Sequence, residues 1–473
     1  MHQSKTPLKV DQEFLVTIKR IGINGEGIGY YKRQAVFIPG TLVGEEVVGK
    51  CTRVAHGYAE ADLVRIKKRS NMRRAPECSH FGVCGGCQLQ HMQYPEQLRV
   101  KRDLVAQAID RYTDLDPEEL DLRPTIGMEN PFRYRNKAQM PVGYDSDGIM
   151  VGFYAMNSRE LVQIEDCPIQ YDEINLAINH AVDLLDEYQV YAYAPKTKKG
   201  TARYIVARQG RKTGELQVVF VFVNEDFKQM ARLAKELMKY VPAVKSVYLS
   251  IHKEDNHEIL GEKLIHIAGQ ETIIDKLGKL KFKLSPRAFF QLNPEQTVKL
   301  YNQVKEAASL TGQEKVVDAY CGVGTIGQWV ADQAGEVRGV DITAQAIDDA
   351  KANAKLNGLS NTHYAVGKAE SVVPTWANEG FKPDVVIVDP PRTGMQQELI
   401  NMLRRVQPKT IVYVSCNPST LAKNLKELSQ KYRVDYIQPV DMFPQTSHVE
   451  TVVRLTLLEK SQRSGAKRPQ KRR

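Results

Sequence analysis

EKVVDAYCGVGTIGQWVADQAGEVRGVD, residues 314–341, decides how the chain folds. EKVVDAY reads as a short buried strand, the two glycines of CGVG as a tight turn, TIGQWVADQA as a helix and EVRGVD as a second strand. The alternation continues through TAQAIDDAKANAKLNG as a helix, and PDVVIVDPP, TIVYVSC and RVDYIQPVDMF as further strands. Regular strand–helix alternation predicts a doubly wound, Rossmann-like α/β domain over 286–459. Ligands of such sheets bind beyond the carboxyl ends of the strands. Tyr320, Gly322, Asp341, Asp389 and Cys416 all fall there. Gly322 and Gly324 permit close backbone approach, and Asp341 is placed to accept hydrogen bonds from ribose hydroxyls.

A dinucleotide site would look similar, but this loop lacks the full G-x-G-x-x-G spacing. A later strand ends in VDPPR, 388–392, and the next, IVYVSCNPST at 411–420, ends in a cysteine. Together these favour S-adenosylmethionine. A lone cysteine at a strand–helix turn usually packs as a small hydrophobe; here its neighbours favour chemistry.

Length and composition bound the rest. At 473 residues the chain exceeds one ordinary core. It has no apolar run long enough for a membrane span. No signal peptide is evident in MHQSKTPLKV, and seven unevenly spaced cysteines do not suggest a secreted disulfide scaffold. A cytoplasmic protein is expected. The formal charge of +10 is concentrated: RIKKRSNMRR (65–74) carries six basic residues and the tail 460–473 carries seven, neither with an acidic one. Such runs suit the phosphate backbone of nucleic acid.

Residues 8–66 alternate short apolar and polar runs punctuated by Gly22, Gly25, Gly27 and Gly29, which predicts an OB-like barrel of about five strands within a domain over 1–67. INGEGIGYYKRQAVFIPGTLVGE resembles the TRAM domain, an RNA-binding barrel. A central α+β domain is expected over 68–285, with helix 95–110 able to pack on the catalytic domain. Its opening segment, APECSHFGVCGGCQLQHMQY, sets Cys78, Cys84 and Cys87 at C-x5-C-x2-C, and Cys167 stands apart before Pro168. Four thiolates of this kind suit an iron–sulfur cluster or zinc. Pattern and resemblance together favour [4Fe–4S].

SPRAFFQLNPEQ, DAYCGVGTIG, VDPPRTG, VSCNPSTLAKNL and FPQTSHVETVVRL together resemble the RNA uracil-5-methyltransferase family. With the barrel and the four cysteines, the chain resembles the iron–sulfur subgroup that methylates 23S ribosomal RNA. The resemblance implies Cys416 as nucleophile and Glu450 as base. It also assigns Gln291 and Tyr320 to the cofactor or base, with Asp389 at the methionine end or the uracil edge. Uracil C5 is too weakly nucleophilic to take a methyl unaided, and a thiolate adding at C6 makes it an enolate carbon. The setting of Cys416 is therefore expected to lower its pKa. The target uridine must leave its stack, so single-stranded or loop RNA is the expected partner. Transfer RNA is the alternative substrate. A non-catalytic iron–sulfur RNA-binding protein and an adenine amino-group methyltransferase are further alternatives; neither needs Cys416 and Glu450.

Overall fold

The computed structural model describes residues 8–145, 148–254, 256 and 258–459. The basic tail at 460–473 lies outside the described residues. Five strands open the chain: β1 (Glu13–Ile21), β2 (Gly27–Tyr31), β3 (Gln34–Ile38), β4 (Glu46–Ala55) and β5 (Tyr58–Lys68). They close into a barrel in the order β1-β2-β3-β5-β4. Alternation in β1 sends Phe14, Val16 and Ile18 into a core that also holds Cys51. At Gly29 a Cβ would lie 2.8 Å from the Thr17 carbonyl, so the close β1–β2 approach needs glycine.

The cysteine segment leads into α1 (Tyr94–Tyr112), with Pro95 in its first turn. This helix sets Val105 and Ile109 in one core with Leu421 and Leu425, far along the chain. The central region forms β6 (Lys137–Tyr144), β7 (Ile149–Tyr154), β8 (Leu161–Gln163), α2 (Asp172–Glu187), β9 (Ala202–Gln209), β10 (Leu216–Phe222), α3 (Met230–Tyr240), β11 (Val244–Ile251) and β12 (Lys263–Gly269). The strands make one seven-stranded sheet, β12-β11-β10-β9-β6-β7-β8, with helices α2 and α3 packed on one face. Within FRYRNKAQMPVGYD (132–145) the strand begins only at Lys137. Before it, the amides of Arg133, Tyr134 and Arg135 donate to the carbonyls of Pro168 and Ile169, which ties this stretch to the Cys167 turn instead.

A hairpin, β13 (Ile273–Leu277) and β14 (Leu280–Leu284), precedes the last unit. There follow α4 (Pro294–Ala308), β15 (Lys315–Ala319), α5 (Thr325–Val330), β16 (Glu336–Asp341), α6 (Ala344–Leu356), β17 (Thr362–Val366) and α7 (Ala369–Asn378). The chain continues through β18 (Val385–Val388), α8 (Gln397–Val406), β19 (Thr410–Ser415), α9 (Pro418–Leu428), β20 (Tyr432–Val440) and β21 (Glu450–Leu457). The sheet order is β17-β16-β15-β18-β19-β21-β20. Both faces are covered: along β19, Ile411 and Tyr413 enter one core, Val412 and Val414 the other. The sheet departs from a purely parallel doubly wound one at its end, where β21 runs antiparallel between β19 and β20.

Candidate active site

The first strand of this last sheet, β15, delivers the glycine loop. Tyr320 takes φ +65°, uncommon for a bulky residue, and Gly322 and Gly324 follow at +53° and +80°. A Cβ on Gly324 would stand 2.9 Å from both Gln328 Nε2 and Tyr364 Oη, so the turn has no room for a side chain. Asp341, at the end of β16, accepts from the Gly322 amide at 3.1 Å and the Thr343 amide at 2.8 Å. One carboxylate thus ties the ends of two neighbouring strands into one cradle. Beside it Asp318, not singled out from sequence, is fully buried. Its Oδ2 accepts from the Gly327 amide at 2.8 Å, and its Oδ1 is buried without a partner. Burial pushes this carboxyl up to about 7. An orphaned acceptor in a glycine cradle suits a cationic donor such as the amino group of S-adenosylmethionine.

Gln291 joins this area from the loop before α4. Its carbonyl accepts from Asn136 Nδ2 at 3.2 Å, and its side chain faces the hydroxyl of buried Tyr301. Phe289, two residues earlier, is 66% exposed, and Ile342, next to Asp341, is 71% exposed. Both apolar side chains are held out to solvent, an exposure that the sequence alone does not show.

Cys416 follows β19 directly. Asn417 caps α9, its Oδ1 accepting from the Ser419 amide at 3.0 Å, while its Nδ2 donates to the Arg392 carbonyl at 3.1 Å. The turn carrying Cys416 is thereby fixed to the VDPPR rim. Ser415 lies opposite Thr451 in the β19–β21 ladder, so Cys416 and Glu450 stand at the same end of adjacent strands. Glu450 is buried, and burial followed by repulsion from Asp389 pushes its carboxyl up to about 8, against the pull of Arg392. Asp389 keeps part of its surface open yet is packed deeply enough to be pushed up to about 7. The Cys416 thiol runs opposite to expectation. Burial, then Glu450 and Asp389, push it up to about 12, and Arg392 offsets this only in part. Two carboxylates beside a half-buried sulfur favour the thiol over the thiolate. His448 is exposed at the rim.

The four cysteines of the central region share one neighbourhood. The Cys87 thiol is pushed up to about 12 by burial, then by Cys167, Cys84 and Cys78. Cys167 is raised to about 11 by burial, with Cys78 and Cys84 adding. Even so, among the described residues no group of three or more His, Cys, Asp or Glu stands in a metal-holding array. The remaining cysteines, Cys51 and Cys321, are buried singly.

Residues 93–459 match the tRNA (uracil-5-)-methyltransferase family, and residues 7–64 match the TRAM domain. The chain belongs to the RNA uracil-5-methyltransferase family. Its relatives include an uncharacterized RNA methyltransferase of Bacillus anthracis, 51% identical over 96% of this chain and 99% of that protein. Another, from Listeria monocytogenes, is 50% identical over 97% of this chain and the whole of its own length. Among solved structures, the Pyrococcus abyssi tRNA (uracil-54, C5)-methyltransferase in complex with S-adenosyl-L-homocysteine superposes with a TM-score of 0.74 at 29% identity. It covers 93% of this chain and 99% of its own. No helix among the described residues of this methyltransferase is long and apolar enough to cross a membrane.

Proposed function

We propose that this enzyme methylates C5 of a uridine in 23S ribosomal RNA, with Cys416 as nucleophile and Glu450 as the base that ends the reaction. The observation that carries the reading is the delivery of Cys416 and Glu450 from adjacent strands at one sheet end, beside Asp389 and Arg392. When bound, S-adenosylmethionine supplies the electrophilic methyl and a cationic sulfonium. Tyr320, Gly322, Asp341 and the orphaned oxygen of Asp318 would hold it, and Gln291 and Asp389 would face the base. Cys416 Sγ, as thiolate, bonds to uracil C6 and sends electron density to C5. Once C5 is methylated, Glu450 takes the C5 proton, the C5=C6 bond re-forms, and the Sγ–C6 bond breaks. A carboxyl poised near 8 is matched to a proton exchange close to neutrality.

Cys78, Cys84, Cys87 and Cys167 would hold a [4Fe–4S] cluster, with zinc the competing ion; their mutual electrostatic influence supports a shared site. Uridine methylation needs no electron transfer, so the cluster's role is structural or RNA-positioning. Ribosomal RNA is favoured by the barrel and the cysteines taken together, through the resemblance they carry. Transfer RNA is the second reading, favoured by the Pyrococcus neighbour, whose own target is tRNA. The test is to map 5-methyluridine in ribosomal and transfer RNA from a strain lacking the gene. Loss from 23S RNA alone supports the proposal, and loss from transfer RNA overturns the substrate.

A further inference from the structure

Residues 441–449 join β20 to β21 and end at Glu450. This connection, DMFPQTSHV, has no regular secondary structure and mixes polar with apolar residues, yet Asp441, Met442 and Gln445 expose nothing and Thr446, Ser447 and Val449 no more than 5%. A buried irregular segment must find a partner for each backbone polar group. At the start of α4, Asn293 and Gln296 donate to the carbonyls of Met442 and Asp441. Tyr134 Oη donates to that of Pro444 at 2.9 Å. The most specific links come from α1, a helix outside the catalytic sheet. Gln97 and Gln445 exchange two bonds: Gln97 Nε2 donates to Gln445 Oε1 at 2.9 Å, and the Gln445 amide donates to Gln97 Oε1 at 3.0 Å. One turn on, Lys101 forms an ion pair with Asp441, both side chains fully buried, and donates to the Phe443 carbonyl at 3.0 Å. Gln445 itself is held at φ +71°, a conformation a non-glycine residue keeps only when its surroundings impose it.

A buried ion pair is weak evidence for stability, because desolvation offsets the attraction; its best-attested use is to fix register. Here the register fixed is that of the residues running into Glu450. We infer that Gln97 and Lys101 are positioning residues for proton removal: through Gln445 and Asp441 they set the loop that brings the Glu450 carboxylate beside Cys416. This rests on the reading of Glu450 as base.

Two measurements on the full chain separate the steps. RNA carrying 5-fluorouridine, with S-adenosylmethionine, reports sulfur addition alone, because fluorine cannot leave as a proton and the adduct persists through denaturation. Ordinary RNA reports release. In Gln97→Leu, adduct formation on fluorinated RNA should stay within about threefold of the parent. Turnover on ordinary RNA should fall at least tenfold, with a covalent protein–RNA complex accumulating. If Gln97→Leu fails to fold, Gln445→Met decides, since it keeps every main-chain link of the loop. Unchanged release in either folded variant, equal loss of both steps in Gln445→Met, or unfolding of both variants overturns the inference. A parent protein that never forms the fluorinated adduct instead overturns the nucleophile reading beneath it.

Discussion

Ser415 and Thr451 face each other across the antiparallel β19–β21 ladder, and the Thr451 hydroxyl donates to the Ser415 carbonyl at 3.1 Å. The next residue beyond each is a proposed reactive group, Cys416 on one strand and Glu450 on the other. Neighbouring strands run about 4.8 Å apart, so sulfur and carboxylate arrive side by side without either strand bending. This placement needs β21 between β19 and β20; a purely parallel sheet would put Glu450 at the opposite end.

Removing either group should split the reaction at a different point. Cys416→Ala should abolish the denaturation-resistant adduct with 5-fluorouridine RNA. Glu450→Gln should still form it, while turnover on ordinary RNA falls about 10²- to 10⁴-fold and the covalent complex builds up. Gel analysis of denatured reaction mixtures reads both. Normal release by Glu450→Gln would remove that residue from its role.

Glu450 should also cost the protein stability at the pH where it works. Its folded-state pKa, about 8, lies above the ordinary 4.5, so between those values the folded chain binds more protons than the unfolded one. Stability contributed by the neutral carboxyl is present below about pH 4.5 and is lost as pH rises through 8. Glu450→Gln cannot ionise. It should therefore be more stable than the parent at pH 8, by on the order of a few kcal/mol, with the gap closing toward pH 5. Thermal melts across that range decide it, and a gap that widened on acidification would contradict the burial argument.

The α/β half was legible because burial on both faces leaves a plain signal: four consecutive apolar residues, Ile411 to Val414, serve two cores at once. The barrel was legible from alternation in strands such as β1. Glu450 was not legible from position, since its place depends on β21 pairing with a strand some forty residues earlier and antiparallel to it. Nor was the burial of the loop before it legible, because Asp441, Gln445 and the Phe443 carbonyl find their partners on α1, 340 positions away at the Lys101–Asp441 pair. Local composition cannot report a partner so distant. The raised Cys416 thiol escaped for the same reason: the two carboxylates that oppose its ionisation converge only in the folded chain.

The basic segment 65–74 divides into two kinds of residue. Lys67, Lys68 and Arg69 are exposed, whereas Arg73 donates to both oxygens of fully buried Glu45 at 2.7 Å and to the Gly40 carbonyl, tying the segment to the barrel. Replacing the three exposed residues by Gln should leave the melt unchanged. It should lower the slope of log affinity against log salt by about 2, near 0.7 for each lost phosphate contact on single strands. Arg73→Gln should do the reverse: it strands a buried carboxylate and destabilises by about 3 kcal/mol, with little change in the salt slope. Binding titrations at several salt concentrations distinguish the two, and an unchanged slope in the triple variant would leave the segment without an RNA role.

The cysteine neighbourhood makes a compositional prediction. Burial and the neighbouring thiols disfavour ionisation of Cys87 and Cys167, and a bound metal would offset this by taking them as thiolates. Protein purified without oxygen should be coloured and contain about four iron and four sulfide per chain. Cys87→Ser should lose most of the iron, because Cys87 feels all three of the other thiols. Cys51→Ala should keep it, since Cys51 lies alone inside the barrel core. Zinc in place of iron, with no colour, would assign the same four residues to a tetrahedral structural site. Equal metal content in parent and Cys87→Ser protein would remove the cysteines from metal binding altogether.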